Sequence, residues 1–451
     1  MITCIELDGF KSFQNFKLEL SPFQVIIGAN GAGKSNLFDA LRLLSHLANA
    51  DLRTAFQDLR GEAGELFTSL PDGRSVDHMS LAVEMFVERQ VQDSWGAQAE
   101  LKYPRLRYEL SISRRTDERN LERLYVDRES LVPIQRGKDE WLQRHGISKE
   151  NWLPKLTGGR APFITTKDET NEISLHQDGR SGRKSSVAEK VERTILSGVF
   201  NTEFPHVFAA REEMRLWKFL HLNPESLRQP SPMLAQPFMD SDGKNLPTAL
   251  ARMKAEDEFI LNDISRDLAN LVPGILKVEV EEDRTRDQYL MQVYTQDGQV
   301  FSSRVLSDGT LRALALVALK NDPQHRGVLC FEEPENGVHP FRLQNLVKVL
   351  SELATDFSAK EQPLRQLLIN THSPVLASQP KIWPNLLFAD MVTRLQPQQH
   401  QQMRVTRIVP VKPPHQLNLE LEEEYTLDQV IKYLNTSDFQ TSVTALRGQH
   451  Q

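Results

Sequence analysis

Gly28-Ala29-Asn30-Gly31-Ala32-Gly33-Lys34-Ser35 satisfies every fixed position of the pattern G-x-x-x-x-G-K-[ST]. The apolar run Phe23-Gln24-Val25-Ile26-Ile27 precedes it, and Asn36 to Leu44 follows with helical spacing. Strand, glycine loop and helix in that order are the context in which the pattern has a mechanism. The glycines let successive backbone N–H groups turn inward around a polyphosphate, and the helix N-terminus adds the positive end of its dipole. Lys34 is placed to reach the outer phosphates, and the Ser35 hydroxyl to ligate Mg²⁺. The stretch therefore predicts an α/β core that takes a nucleoside triphosphate.

The 451 residues allow two or three domains. Charged residues make up 25% and the net charge is −7, which excludes a chain that is cationic throughout. Any nucleic-acid contact must come from a local basic patch. Cys4 and Cys330 each lie in an apolar, strand-like run and are expected as buried reduced thiols, not as a disulfide or metal ligands. No apolar stretch approaches the roughly 20 residues of a membrane span. Met1 to Glu6 lacks the basic-then-apolar pattern of an export signal. A cytoplasmic location is the expectation.

A second apolar run, Gly327-Val328-Leu329-Cys330-Phe331, ends in Glu332-Glu333-Pro334-Glu335. A buried parallel strand delivers its last side chains to the crevice at the carboxyl edge of the sheet, where a phosphate loop also lies. One acid there can hold the water shell of Mg²⁺ and a second can orient or deprotonate the attacking water. Glu332 is assigned to the metal and Glu333 to the water; a solvated acidic cluster opening a helix is the plainer alternative. Leu306-Ser307-Asp308-Gly309-Thr310-Leu311-Arg312 precedes a helix over Ala313 to Lys320. Ser307 reads as an N-cap, or, more sharply, as part of a second anion-binding helix end offered to a γ-phosphate on another subunit. Asn370-Thr371-His372-Ser373-Pro374 follows the apolar strand Gln366-Leu367-Leu368-Ile369 and brings His372 to a strand end, as a structural histidine or a γ-phosphate contact.

Together with Gly9-Phe10-Lys11-Ser12-Phe13 and Asp39-Ala40-Leu41-Arg42, these motifs resemble the ATP-binding-cassette ATPases of the structural-maintenance-of-chromosomes and RecF kind. The resemblance is closer to the stand-alone bacterial ATPases of the AAA-21 type. Leu306 to Thr310 matches the signature motif, Phe331 to Pro340 the Walker B and D-loop stretch, and Thr371 to Pro374 the switch-histidine loop. The resemblance implies a P-loop ATPase head: a mixed sheet with an antiparallel β-subdomain, interrupted by a mixed α+β insert. It implies that Gly28, Asn30, Gly31, Ala32, Gly33, Lys34, Ser35 and Asn36 surround the ATP, with Ser35 and Glu332 at Mg²⁺. It also implies Glu333 as catalytic carboxylate, His372 as γ-phosphate sensor, and a homodimer, or a higher oligomer, in which Ser307 and Gly309 of one copy meet the ATP of the other. Three departures stand out. Glu332 replaces the usual Asp, the glutamine expected near the nucleotide has only Gln90 as a candidate, and the middle segment is too short for long coiled-coil arms.

On this reading residues 1–94 form the N-terminal lobe and 95–272 an inserted subdomain. Residues 273–410 form the C-terminal lobe and 411–451 an extension. Strands are expected at Thr3–Leu7, Phe16–Leu20, Leu81–Val87 and Leu106–Ile112, then a less regular polar stretch from Asp117 to Ser185. Helices are expected around Val187–Leu196, Val207–Leu220 and Leu246–Leu271, and a meander from Leu276 to Val305 turning at Asp297-Gly298. Arg105, Arg107, Arg114, Arg115, Arg119, Arg123 and Arg128, with Arg180, Arg183 and Lys184, form a basic series interleaved with acids. That pattern reads as a mixed solvated surface ahead of a phosphate-binding stripe. Glu420 to Glu424 reads as the cap of a helix over Tyr425–Leu434. The expected function is an ATP-driven dimerising ATPase that couples nucleotide state to DNA or a DNA-acting partner, of a repair or antiphage-defence type. The alternative is a scaffold that uses ATP to hold an effector. Only about 75 residues follow His372, so a nuclease is expected as a separate protein.

Overall fold

In a computed structural model, Phe23–Ile27 is a strand buried along its whole length. The structure describes residues 1–137, 139–148, 152–153, 161–177, 180–187, 192–358, 363–396, 401–412, 425–427 and 429–434. Phe23–Ile27 lies between Arg365–Thr371 and Leu386–Gln396, with Gly327–Glu332 and Lys218–Leu220 beyond the first of these, all parallel. Gln401–Lys412 closes the other side as an antiparallel hairpin partner, and Tyr425–Thr426 adds a short seventh strand.

Both faces of this sheet are covered, which is why its strands are continuously apolar instead of alternating. Ile26, Val328, Cys330 and Leu368 pack into one core with the helix Lys34–Leu47. Val25, Ile27, Leu329, Phe331, Leu367 and Ile369 pack into another with the helices Leu246–Glu256, Ile260–Leu271, Asp308–Asn321 and Leu343–Glu352. Cys4 and Cys330 are free and buried.

The first core is shared with an eight-stranded antiparallel sheet, ordered Arg180–Val187, Glu172–Gln177, Ile164–Lys167, Glu122–Pro133, Arg105–Thr116, His78–Phe86, Ile2–Asp8, Phe16–Glu19. The polar stretch expected from Asp117 to Ser185 thus contains four strands. Residue 94 is no break in the fold either, because Met85 pairs with Leu106 and Phe86 with Arg105 across it. At the far end of the expected insert, Lys218–Leu220 joins the parallel sheet and Ile260–Leu271 packs into the second core. Strands from residues 95–272 thus join both sheets, and a helix from them packs into the second core.

Other departures are local. Of the helix expected around Val187–Leu196, Val187 ends a strand, 188–191 lie outside the described residues and Leu196 opens a 3-10 turn; the helix expected to reach Leu220 stops at Arg215 before the strand Lys218–Leu220. The long helix Leu246–Leu271 breaks in two at Asp257. The meander is present as Ile275–Asp283, Gln288–Thr295 and Val300–Ser302, with Gly298 at φ 82° in its turn. Glu420–Glu424 lies outside the described residues.

Candidate nucleotide site

The phosphate loop leaves the strand Phe23–Ile27 at the carboxyl edge of the parallel sheet and enters the helix Lys34–Leu47. Gly33, the N-cap, sits at φ 89°, and a Cβ there would lie 1.8 Å from the Thr406 hydroxyl oxygen. Only glycine satisfies both the backbone and the space. Gly31, at φ 78°, has open space around it. Asn30 and Gly31 are exposed and Ala32 is buried, its N–H donating to the Ala29 carbonyl at 3.2 Å. Asn36 turns away from the loop, its Nδ2 donating to Ser12 Oγ at 2.8 Å. Ser12 Oγ in turn lies 2.6 Å from Thr406 Oγ1, which ties the loop's helix to the strand Gln401–Lys412.

Lys34 is buried, its Nζ donating to the carbonyls of Gly28 at 2.6 Å and Ala29 at 2.9 Å. Burial pulls its ammonium down to about 8, against the opposing pull of Glu333 and Glu332. No carboxylate lies within ion-pair distance of it among the described residues. A cation short of counter-charge beside a helix N-terminus and an open glycine turn fits a polyphosphate.

The strand Gly327–Glu332 delivers its acids to the same edge. Ser35 Oγ donates to Glu332 Oε1 at 3.0 Å, and Asn370 Nδ2 reaches the same oxygen at 3.3 Å and Ser35 Oγ at 3.4 Å. A hydroxyl and a carboxylate brought together in this way fit a hard cation with an oxygen shell. Glu333 has the left-handed backbone angle φ 52°, a strained conformation for a non-glycine residue. Its N–H donates to Asn370 O at 2.8 Å, its carboxylate meets His372 Nδ1 at 2.7 Å, and Asn336 Nδ2 donates to its other oxygen at 2.8 Å. The acid is thereby pinned from the backbone and from both oxygens.

Ser307 and Gly309 lie elsewhere. Ser307 caps the helix Asp308–Asn321, with Thr310 N donating to its Oγ at 3.3 Å. Gly309 abuts the D-loop so closely that a Cβ would lie 2.3 Å from Gly337 O. Both line an open groove of about 570 Å³ with Val272, Gly337, His339 and Phe341, to which residues 28–36 contribute nothing.

The structure thus brings Lys34, Ser35, Glu332, Glu333 and His372 together and sets Ser307 and Gly309 apart. Gln90 is at the wrong end of the sheet: it borders a cavity with His325 and Leu364, which precede the parallel strands. Asn370, Asn336, Ser12 and Thr406 were not singled out from the sequence. Asn370 had a usable signal, an amide at the end of an apolar strand, whereas Thr406 is one of several threonines in an unremarkable strand.

Arginines of the basic series pair with acids: Arg114 with Asp77, Arg115 with Asp127, Arg123 with Asp117 and Glu192, and Arg128 with Asp168. Arg107 holds Glu6, Glu84 and Glu109, and buried Arg105 holds Asp139. No helix among the described residues is long and apolar enough to cross a membrane.

The head domain of Smc from Pyrococcus furiosus, solved with an extended coiled coil and the C-terminal domain of ScpA, is 10% identical at a TM-score of 0.46, covering 91% of this chain and 96% of that one. The SMC head domain from Thermotoga maritima is 12% identical at a TM-score of 0.36, covering 91% and 99%. Among curated proteins, Urease accessory protein 2 from Cryptococcus neoformans is 28% identical over 181 residues. That match spans 39% of this chain but only 13% of the fungal protein. The family model described as "AAA domain, putative AbiEii toxin, Type IV TA system" matches residues 23–378, from the strand before the phosphate loop to just past His372. The chain belongs to this AAA-21 family and is an ATP-binding P-loop ATPase.

Proposed function

We propose that two copies of this chain close around two ATP molecules, hydrolyse them, and pass the nucleotide state to DNA or to a DNA-acting partner. The observation that carries the reading is the division of the site. Ser35, Glu332, Glu333 and His372 converge at the edge of the sheet, while Ser307 and Gly309 face an open groove of their own. One copy holds the phosphates and the hydrolytic pair; a second copy supplies the serine and glycine of its helix end. Ser35 and Glu332 would hold Mg²⁺, which would supply positive charge against the outer phosphates. Lys34 exchanges its two carbonyl partners for phosphate oxygens. Glu333, held by His372 and Asn336, accepts a proton from the attacking water, and His372 donates to the γ-phosphate side. In this reading residues 1–94 and 273–410 supply the two halves of the site.

Replacing Glu333 with Gln and adding ATP with Mg²⁺ tests the arrangement. The expected result is a trapped dimer by mass in solution, and a monomer with and without DNA under every condition overturns it.

A scaffold that uses ATP to assemble and hold an effector is favoured by one observation, the internal neutralisation of the arginine series. The family description's mention of a toxin fits either reading within a defence system. Strong stimulation of turnover by DNA supports the first; slow turnover of a stable ATP-loaded assembly, unmoved by DNA, supports the second.

A further inference from the structure

A cavity of about 1470 Å³ lies at the amino ends of the strands Lys218–Leu220, Gly327–Glu332 and Arg365–Thr371. The nucleotide motifs sit at their carboxyl ends. At about 3.3 Å per residue, the six residues of Gly327–Glu332 separate the two by roughly 20 Å.

The charges around this cavity sort into two kinds. Its carboxylates already have partners. Glu88 accepts from Leu364 N at 2.7 Å, Glu100 pairs with Arg89, and Glu212 pairs with Arg211 and Arg215. Glu213 accepts from Trp217 Nε1 at 3.3 Å, Asp240 accepts from Asn245 Nδ2 at 3.0 Å, and Asp322 pairs with Arg252 at 2.7 Å. Two of its cationic side chains, Lys218 and Arg326, have no ion pair among the described residues. Lys218 Nζ has no carboxylate within 4.0 Å among the described residues and makes one long contact, 3.5 Å, to Met239 O. Arg326 is exposed and has no ion pair among the described residues. His325, 4% exposed, has a buried Nε2 with no hydrogen-bond partner.

Burial lowers Lys218 from its ordinary value, and burial together with Arg365 and Lys218 takes His325 down to about 3. The imidazole is therefore neutral at physiological pH and serves as a hydrogen-bonding group. A buried polar atom without a partner costs about 1–3 kcal/mol, and an anion drawn into this end of the cavity gives Lys218, His325 and Arg326 a common one. Apolar surface adjoins the same corner: the Phe238 ring centroid is 5.9 Å from Lys218 Nζ, and Met239 lies beside it.

We propose that this corner binds an organic anion, with a phosphate or carboxylate held by Lys218, His325 and Arg326 and a flat apolar body laid against Phe238. The cavity exceeds the roughly 300–1,000 Å³ of ordinary ligand pockets, so the ligand fills its cationic end alone. The position gives such a ligand leverage. Residues 322–326 form the joint between the helix that begins at Asp308, capped by Ser307, and the strand that ends at Glu332. The helix capped by Ser307 and the strand that carries Glu332 are both attached to that one loop.

Calorimetric titration of the full chain with phenyl phosphate, benzoate and inorganic phosphate tests the site. Phenyl phosphate or benzoate is expected to bind more tightly than inorganic phosphate, and equally to wild type and to Lys34→Met, which disables the phosphate loop. Binding is expected to weaken at least roughly tenfold in Arg326→Ala, whose exposed side chain can be removed without disturbing the core, and in Lys218→Met. The tighter of the two aromatic probes identifies the head group. The proposal is overturned if neither aromatic probe binds, if both substitutions leave binding unchanged, or if binding disappears in Lys34→Met. None of these outcomes depends on whether two copies close around ATP.

Discussion

Lys34 shows what a binding residue costs the fold that carries it. Its ammonium is buried with two carbonyl oxygens for company, and its pKa is lowered from 10.5 to about 8. A lysine whose folded pKa lies below its unfolded one destabilises the fold wherever the unfolded chain keeps the extra proton. The penalty, on the order of 3 kcal/mol, is in full force below about pH 8 and fades as pH rises towards 10.5. Lys34→Met removes it, at the expense of two hydrogen bonds of about 1 kcal/mol each. The nucleotide-free variant is therefore expected to melt at or slightly above the wild-type temperature at pH 7. The wild type should gain stability on adding ATP and Mg²⁺, and the variant should show no such gain. A variant that melts well below wild type would mean that the carbonyl bonds outweigh the burial. Residues of this kind were legible in the sequence because the chemistry fixes their spacing. Thr406 was not, since its role comes from a contact with Gly33 across hundreds of residues.

Among the elements, the strand Glu122–Pro133 illustrates how tertiary context overrides local pattern. Its exposed beginning carries Glu122 and Arg123, and only its second half alternates cleanly between buried and half-buried positions. In the sequence this segment merges with the polar run around it. What secures it is long-range: Glu129, fully buried, accepts from Ile195 N at 2.6 Å, Leu196 N at 2.9 Å and Tyr108 OH at 3.1 Å. The same carboxyl thereby caps the short 3-10 turn Leu196–Gly198 from another strand. Burial pushes Glu129 up to about 7 from 4.5, against those three hydrogen bonds. Between these values the folded chain holds a proton that the unfolded chain releases, so stability from this group falls as pH rises from about 4.5 through 7. The loss is on the order of 3 kcal/mol. Glu129→Gln should flatten that part of the stability curve in urea titrations from pH 5 to 7.5. An unchanged slope would place the titrating group elsewhere. The strand Phe23–Ile27 and the meander from Ile275, by contrast, were readable because their patterns are local: an unbroken apolar run in one, alternation and an Asp-Gly turn in the other.

For the whole molecule, the decisive question is whether the two halves of the nucleotide site belong to one chain or to two. Ser307 and Gly309 sit on a helix end whose contacts run to Thr310, Gly337 and Asn336 through Arg312, and none of them to residues 28–36. If closure pairs two copies symmetrically, each composite site takes its phosphate loop from one and its helix end from the other. Lys34→Met then removes the loop of its own site but leaves an intact helix end for its neighbour. Ser307→Arg does the reverse, filling the groove while leaving its own loop able to bind ATP. Each variant alone is expected to be inactive. Mixed in equal amounts, half of the dimers are hybrids with one sound site of two, so activity should return to roughly a quarter of the wild-type rate. Nucleotide binding by Ser307→Arg, with its melting lowered by no more than the about 1 kcal/mol that losing the cap costs, and melting of Lys34→Met at or slightly above wild type show that the copies are sound before mixing. A mixture that stays silent, or a Ser307→Arg chain that hydrolyses ATP unaided, would mean that a single copy carries the whole site and that the groove beside Phe341 serves something else.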